Sequence, residues 1–127
     1  MTTDILTTIK DYLMTKRSNP FGQRIYLGYP KVENLTPVLG ISLLSMNDPL
    51  KGESKGLGIA YEWNVSFTMF FKQGNLNQID SAVRFVLTSM DNLDRTKYIA
   101  QQSTMNTLEE GNTVQVTLDI KITGCLS

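Results

Sequence analysis

The chain has 127 residues, of which 41% are hydrophobic and 19% are charged, and this is the composition of a folded domain. Its 12 basic and 12 acidic residues give a formal net charge of zero, without the basic excess or stripe that binds a nucleic-acid backbone. The single Cys125 cannot form an internal disulfide, and no run approaches the ~20 apolar residues that span a membrane.

The first predicted element is an amphipathic helix over about residues 3–17. Its apolar side chains recur at helical spacing: Ile5, Leu6, Ile9, Tyr12 and Leu13. Thr2 or Thr3 can cap the helix. Lys16 and Arg17 suit its last turn, where cations stabilise the negative end of the helix dipole. This helix is expected to lie on the sheet of its own chain, with packing on a neighbouring subunit as the alternative.

Two strands follow, over residues 24–30 and 38–46. The apolar residues of the second strand do not alternate cleanly, which predicts either burial on both faces or a bulge near Gly40. Residues 47–58 are mostly polar and contain three glycines and one proline. This connection is about twice as long as a tight hairpin needs. The strands on either side of it are expected to pair as an antiparallel hairpin.

The clearest pattern lies in residues 59–71, where apolar and polar side chains alternate. It predicts a strand on the order of 40 Å long, with one dry face and one wetter face. Tyr61, Trp63 and Phe67 could stack on nucleic-acid bases, but no basic residues interleave with them, which favours packing in the core. Phe70 breaks the pattern because it falls on the polar face. It either caps the end of the sheet or fills a bulge, or it lies in a contact between subunits, where aromatic residues are enriched.

A second helix is predicted over residues 76–91, and two more strands over residues 97–105 and 113–123, with residues 109–112 as the turn between them. The element order is therefore α-β-β-β-α-β-β. This order predicts a single α+β domain over residues 1–127. Its sheet is expected to be mainly antiparallel, with about five strands and both helices packed on one face.

Few residues in the sequence could carry catalysis. Histidine is absent, which removes Ser-His-Asp and Cys-His systems and nearly all metal sites with histidine ligands. Glu62 and Asp119 are the acids inside patterned strands, and both are expected to face water. Residues 51–58 combine lysines with glycines, but no helix N-terminus follows them to bind a phosphate. We therefore assign no catalytic, cofactor-binding or metal-ligating residue, and the chain is not expected to be an enzyme.

Candidate contact residues come from the long connection and from the irregular aromatic position. They are Asp48, Leu50, Lys51, Glu53, Lys55, Leu57 and Phe70. Met14 and Phe21 are weaker candidates of the same kind. A surface near zero net charge lacks self-repulsion, which suits an assembly component. The substitution Phe70→Ser is expected to leave the fold largely intact and to weaken assembly.

In the order of its elements the chain resembles tail terminator, or tail-completion, proteins of tailed bacteriophages and contractile injection systems. The resemblance covers nearly the whole chain. It rests on the opening helix, the long hairpin of residues 38–46 with 59–71, the second helix and the closing strand at residues 113–123. It implies a non-enzymatic ring, commonly hexameric, that caps the tail tube, stops its growth and joins it to the head connector.

The partners implied by this resemblance are other copies of the chain, the tail tube protein and the head–tail connector protein. It implies no cofactor, no sequence-specific binding of nucleic acid and no membrane. The implied location is the tail of a virion assembled in the host cytoplasm. Two alternatives remain: another head–tail connector or baseplate subunit, and a small α+β ligand-binding protein.

Overall fold

The computed structural model describes residues 2–29, 37–47, 59–72, 76–93 and 98–126. Two helices and five strands occur within these residues. In chain order they are α1 (Thr2–Met14), β1 (Ile25–Leu27), β2 (Val38–Asn47), β3 (Ile59–Lys72), α2 (Leu76–Asp91), β4 (Tyr98–Glu110) and β5 (Thr113–Leu126). The chain is therefore α+β, as the element order predicts.

The five strands form one sheet in the spatial order β1-β2-β3-β5-β4. β2 and β3 pair as the predicted antiparallel hairpin, and β3–β5 and β5–β4 are antiparallel as well. β1 runs parallel to β2, with Ile25 opposite Leu39 and Leu27 opposite Ile41. The sheet is therefore mixed, and the prediction of a mainly antiparallel sheet is right only in outline.

The core lies between the two helices and one face of the sheet. The odd-numbered side chains of β3 from Trp63 to Phe71 are buried there, opposite the even-numbered side chains of β5 from Val114 to Ile122. Ile5, Ile9 and Leu13 of α1 are buried against them, together with Val86 and Met90 of α2. The apolar stripe of each helix thus packs on the apolar face of the sheet, and together they form one layer. The prediction that the opening helix lies on its own sheet is confirmed.

α1 ends earlier than predicted, at Met14. The Thr15 hydroxyl donates to the Tyr12 carbonyl oxygen at 2.8 Å, a bond of the kind by which threonine competes with helix continuation. Lys16 consequently lies beyond the helix, and its ammonium sits 4.4 Å from the centroid of the Tyr12 ring. The prediction that Lys16 and Arg17 occupy the last turn is wrong.

β2 has a bulge, although its position differs from the prediction. The register shifts between Leu43 and Ser45, rather than near Gly40, and this leaves Leu44 exposed. β4 has a second bulge between Gln102 and Thr104, and it continues to Glu110. Residues 109–110 are therefore the end of a strand and not part of the predicted turn, which is limited to residues 111–112.

Candidate assembly surface

The side of the sheet that faces away from the helices is the surface on which the notable side chains lie. We call it the open face. It is formed by the even-numbered residues of β3 and by their partners on the neighbouring strands, such as Ser42 opposite Ser66 and Thr117 opposite Thr68. Within the described residues both helices pack on the other side, so no helix covers the open face.

Polar pairs across neighbouring strands occupy most of the open face. Lys121 Nζ lies 3.0 Å from Glu62 Oε2, and Asn64 Nδ2 donates to Ser45 Oγ at 2.7 Å. The Thr104 hydroxyl donates to Asp119 Oδ2 at 3.0 Å. Such cross-strand pairs each contribute about 0.2–1 kcal/mol. They fix the side chains of the acids that sequence analysis placed on a polar face.

One end of the open face is apolar. Phe70 is only 5% exposed and neighbours the buried Val38 across the β2–β3 pair. The Tyr29 ring packs edge-on against the Phe70 ring, with centroids 5.8 Å apart. The Tyr29 hydroxyl lies 3.4 Å from Gln115 Oε1, to which it can donate. Tyr29 thus reaches from the end of β1 to side chains of β3 and β5 on the open face.

A shallow depression adjoins this apolar end. It has a volume of about 200 Å³ and is lined by Phe70, Leu108, Glu110, Thr113 and Gln115. Leu108 is 55% exposed and Tyr29 is 67% exposed, so both rims of the apolar end present hydrophobic side chains to solvent. Isolated exposed hydrophobic residues are ordinary, but a cluster beside a concave apolar floor is typical of a contact surface.

The two outer strands of the sheet also carry exposed hydrophobic side chains. Tyr26 and Leu27 are exposed on β1, while Ile99, Met105 and Leu108 are exposed on β4. An outer strand has backbone N–H and C=O groups that no neighbouring strand binds. Within the described residues, no further strand pairs beyond β1 or beyond β4.

The predicted contact residues divide into three groups. Asp48, Leu50, Lys51, Glu53, Lys55 and Leu57 lie outside the described residues. Phe70 lies on the open face as predicted but is buried, with the Tyr29 ring against it and Leu108 beside it at the depression. Phe21 is fully buried in the core, 6.4 Å from the Phe71 ring between centroids, so the prediction of a subunit contact at this residue is wrong. Met14 is half-buried against the core.

Sequence analysis did not single out Tyr29 and Leu108. Tyr29 follows Gly28, whose φ of +97° is accessible to glycine, and this residue lets the chain leave β1. In the sequence, Tyr29 could have been identified as an aromatic residue that directly follows a glycine at the end of a strand. Leu108 gave no signal because its neighbours in β4 do not alternate.

Two other kinds of site are absent from the described residues. No group of three or more His, Cys, Asp or Glu side chains is placed to hold a metal ion there. In the same part of the chain, neither helix is long and apolar enough to cross a membrane.

Comparisons with known proteins give a likeness in fold. No protein-family model matches the sequence, and no curated protein matches it. Among solved structures, the chain is similar to one from a structure described as the virion of a native gene transfer agent particle, with a TM-score of 0.64 and 12% identity. The match covers 93% of this chain and 92% of the other. The shared feature is therefore a whole fold and not a fragment.

Proposed function

We propose that the chain is a non-enzymatic structural protein of a phage-like virion, and that within the virion it is a tail terminator. In this role copies of the chain form a ring on the last ring of the tail tube, stop its growth and present a surface to the head connector. The observation that carries the proposal is the shared fold with a virion chain over nearly the whole of both chains.

The surface of the domain supports an assembly role. The open face lacks a covering helix among the described residues, and its apolar end exposes Tyr29 and Leu108 around the buried Phe70. The net charge of zero leaves no long-range repulsion between identical copies. In a ring, one surface of each copy binds a different surface of the next copy, and the rotation between neighbours brings the last copy back to the first. The two outer strands supply two such surfaces.

The proposed partners are other copies of the chain, in a ring of about six, the tail tube protein and the head–tail connector protein. The proposed location is the virion tail, assembled in the host cytoplasm. Phe70 and the six candidates in residues 48–57 remain proposed contact positions. Because Phe70 is buried, its proposed role is to support the contact made by Tyr29 and Leu108.

Three depressions on the described surface are too small to favour the ligand-binding alternative. Their volumes are about 200, 180 and 250 Å³. Pockets for small molecules and cofactors usually have volumes of about 300–1,000 Å³ and enclose most of the ligand. The core side of the sheet is filled by buried side chains, as expected for a structural domain.

Light scattering coupled to size-exclusion chromatography, followed by sedimentation with tail tubes from the same particle, tests the proposal. We expect a closed oligomer, or a monomer that becomes oligomeric on tubes, and co-sedimentation that saturates at about one ring per tube end. Binding along the whole tube, or to isolated connectors alone, would favour the connector or baseplate alternative. A strict monomer with no affinity for tubes or connectors would contradict a virion role.

A further inference from the structure

The outer edge of β4 is the best candidate for a strand-pairing site between copies. β4 has 13 residues and contains no Lys or Pro, which commonly block pairing at a sheet edge; its charged residues are Glu109 and Glu110 at its end. Its bulge lies between Gln102 and Thr104, and from Met105 to Glu110 its pairing with β5 is uninterrupted. This regular stretch presents backbone groups at spacings that a further strand can match.

β1 forms the opposite edge and has the complementary direction. β4 is antiparallel to β5, β5 to β3 and β3 to β2, whereas β1 is parallel to β2. β1 and β4 therefore run in opposite directions within one copy. If a second copy continues the sheet head to tail, its β1 lies antiparallel to β4 of the first copy. Repetition of this step joins every copy by the same contact, as a ring requires.

We propose that β1 of one copy pairs antiparallel with residues 105–110 of β4 in the next copy. The pairing places Tyr26 opposite Leu108 and Arg24 opposite Glu110. This inference deepens the proposed function, on which it rests, by assigning the contact that joins neighbouring copies of the ring.

The register between β1 and β4 is restricted because the open faces of the two copies must lie on the same side of the joined sheet. Tyr26 pairs with Gly40, and Leu108 pairs with Gln115, so both side chains belong to the open face. A shift by one residue would turn every side chain of β1 to the wrong face of the joined sheet. The allowed registers therefore differ by two residues.

Charge and apolar contacts select one of these registers. With Tyr26 opposite Leu108, two side chains that are 45% and 55% exposed meet beside the depression at the apolar end. Arg24, one residue before β1, then faces Glu110. Its Nε donates to the Pro37 carbonyl oxygen at 2.9 Å, and its two terminal nitrogens can bind the carboxylate. A shift by two residues in either direction separates Arg24 from Glu110. Symmetric pairing of two β4 strands would cover only one of the two edges.

Disulfide trapping tests this register directly. In a Cys125→Ser background, Tyr26→Cys and Leu108→Cys are combined in one chain. Within that chain the two residues lie four strand spacings apart, roughly 19 Å, too far for a disulfide, which needs Cα atoms about 4.4–6.8 Å apart. Opposed residues of paired antiparallel strands are within that range. Any disulfide between these cysteines therefore joins two copies.

We expect mild oxidation to give a ladder of linked copies on a non-reducing gel, ending at the size of the ring. The matched control combines Tyr26→Cys with Ile99→Cys, which is also exposed on β4 but lies nine residues away, roughly 30 Å along the strand. The control is expected to give no ladder. Equal linking in both variants, or linking in neither, would contradict the register. Dimers from Leu108→Cys alone, without a ladder from the pair, would show that two β4 strands pair instead.

An exchange of charges gives a second test. Glu110→Arg is expected to weaken association between copies by about fivefold, and the addition of Arg24→Glu is expected to restore it.

If the wild-type protein forms rings that cap tubes but neither test responds, the strand pairing is wrong and the proposed function stands. If the wild-type protein stays monomeric and does not bind tubes, both are wrong. If linked rings form but do not bind tubes, the pairing stands and the terminator role does not.

Discussion

Phe70 is the residue whose interpretation the structure changes most. Alternation along β3 places it on a polar face, and sequence alone left open a structural role or a subunit contact. In the structure it is buried, but outside the main core cluster, and the Tyr29 ring reaches across the sheet to contact it. Tyr29 precedes Phe70 by 41 positions in the sequence, so no local pattern predicts this contact.

The substitution Phe70→Ala is therefore expected to destabilise the monomer, contrary to the expectation from sequence that a polar replacement spares the fold. Loss of a buried phenylalanine costs about 3 kcal/mol, the lower end of the usual range, since Tyr29 and Leu108 can move into the space. Urea denaturation measures the effect. Tyr29→Ala is the control and is expected to cost about 1 kcal/mol, mainly from the lost edge contact. A free energy of unfolding for Phe70→Ala within 0.5 kcal/mol of wild type, on the order of the effect of a surface change, would contradict this account.

Gly124 is the second residue with a specific structural requirement. A Cβ atom there would lie 2.6 Å from Cζ3 of Trp63 and 2.9 Å from Cδ1 of Tyr98. These two rings pack edge to face, with centroids 6.2 Å apart, so neither can move without loss of contact. Gly124 therefore provides the space in which the rings meet.

Gly124→Ala is expected to lower the free energy of unfolding by about 1–3 kcal/mol, which is the usual cost of overpacking a core. Thermal unfolding can be monitored by the fluorescence of Trp63, the one tryptophan of the chain. The matched control is Thr123→Ala, one residue away on the opposite face of β5, where little change is expected. Equal melting temperatures for the two variants would show that the rings can adapt to the extra atom.

Strand β4 is the element that sequence analysis described least well. Its residues do not alternate, and its predicted end at residue 105 is five residues short of Glu110. The missing information is tertiary: β4 is extended because β5, which alternates strongly, pairs with it from Thr113 onwards. The parallel pairing of β1 was missed for a similar reason, since alternation identifies a strand but not the direction of its neighbour. α2 and β3, whose own periodicity determines them, were predicted well, whereas α1 was predicted to end three residues too late.

The turn between β4 and β5 fixes the register of the proposed pairing edge. Gly111 has a φ of +61°, whereas Asn112 beside it does not have a positive φ. A two-residue hairpin turn with a positive φ at its first position alone is of type II′, which takes glycine at that position. Gly111→Ala is expected to cost about 1–2 kcal/mol, whereas Asn112→Ser, at the second position of the same turn, is expected to be nearly neutral. Chemical denaturation of the two variants checks this difference. No difference between them would mean that the turn adopts another conformation in solution.

At the scale of the whole molecule, the fold and the assembly surface have different origins. The core follows from periodic apolar residues, so fold class and helix placement could be read from the sequence. The open face and its apolar end depend on which strands become neighbours, and pairing partners are not encoded in a local pattern. The likeness to a virion chain is a likeness in fold: it covers 93% of this chain, while the sequences share 12% identity.

We propose that this domain terminates a tail tube, and the most direct measurement of that role is the length of tubes assembled with and without it. Tube protein is polymerised in the presence of increasing amounts of the chain, and lengths are measured by electron microscopy. We predict that tubes become shorter as the chain is added and that a ring is visible at one end. Unchanged tube lengths, with no density at the tube ends, would contradict the proposed role as a tail terminator.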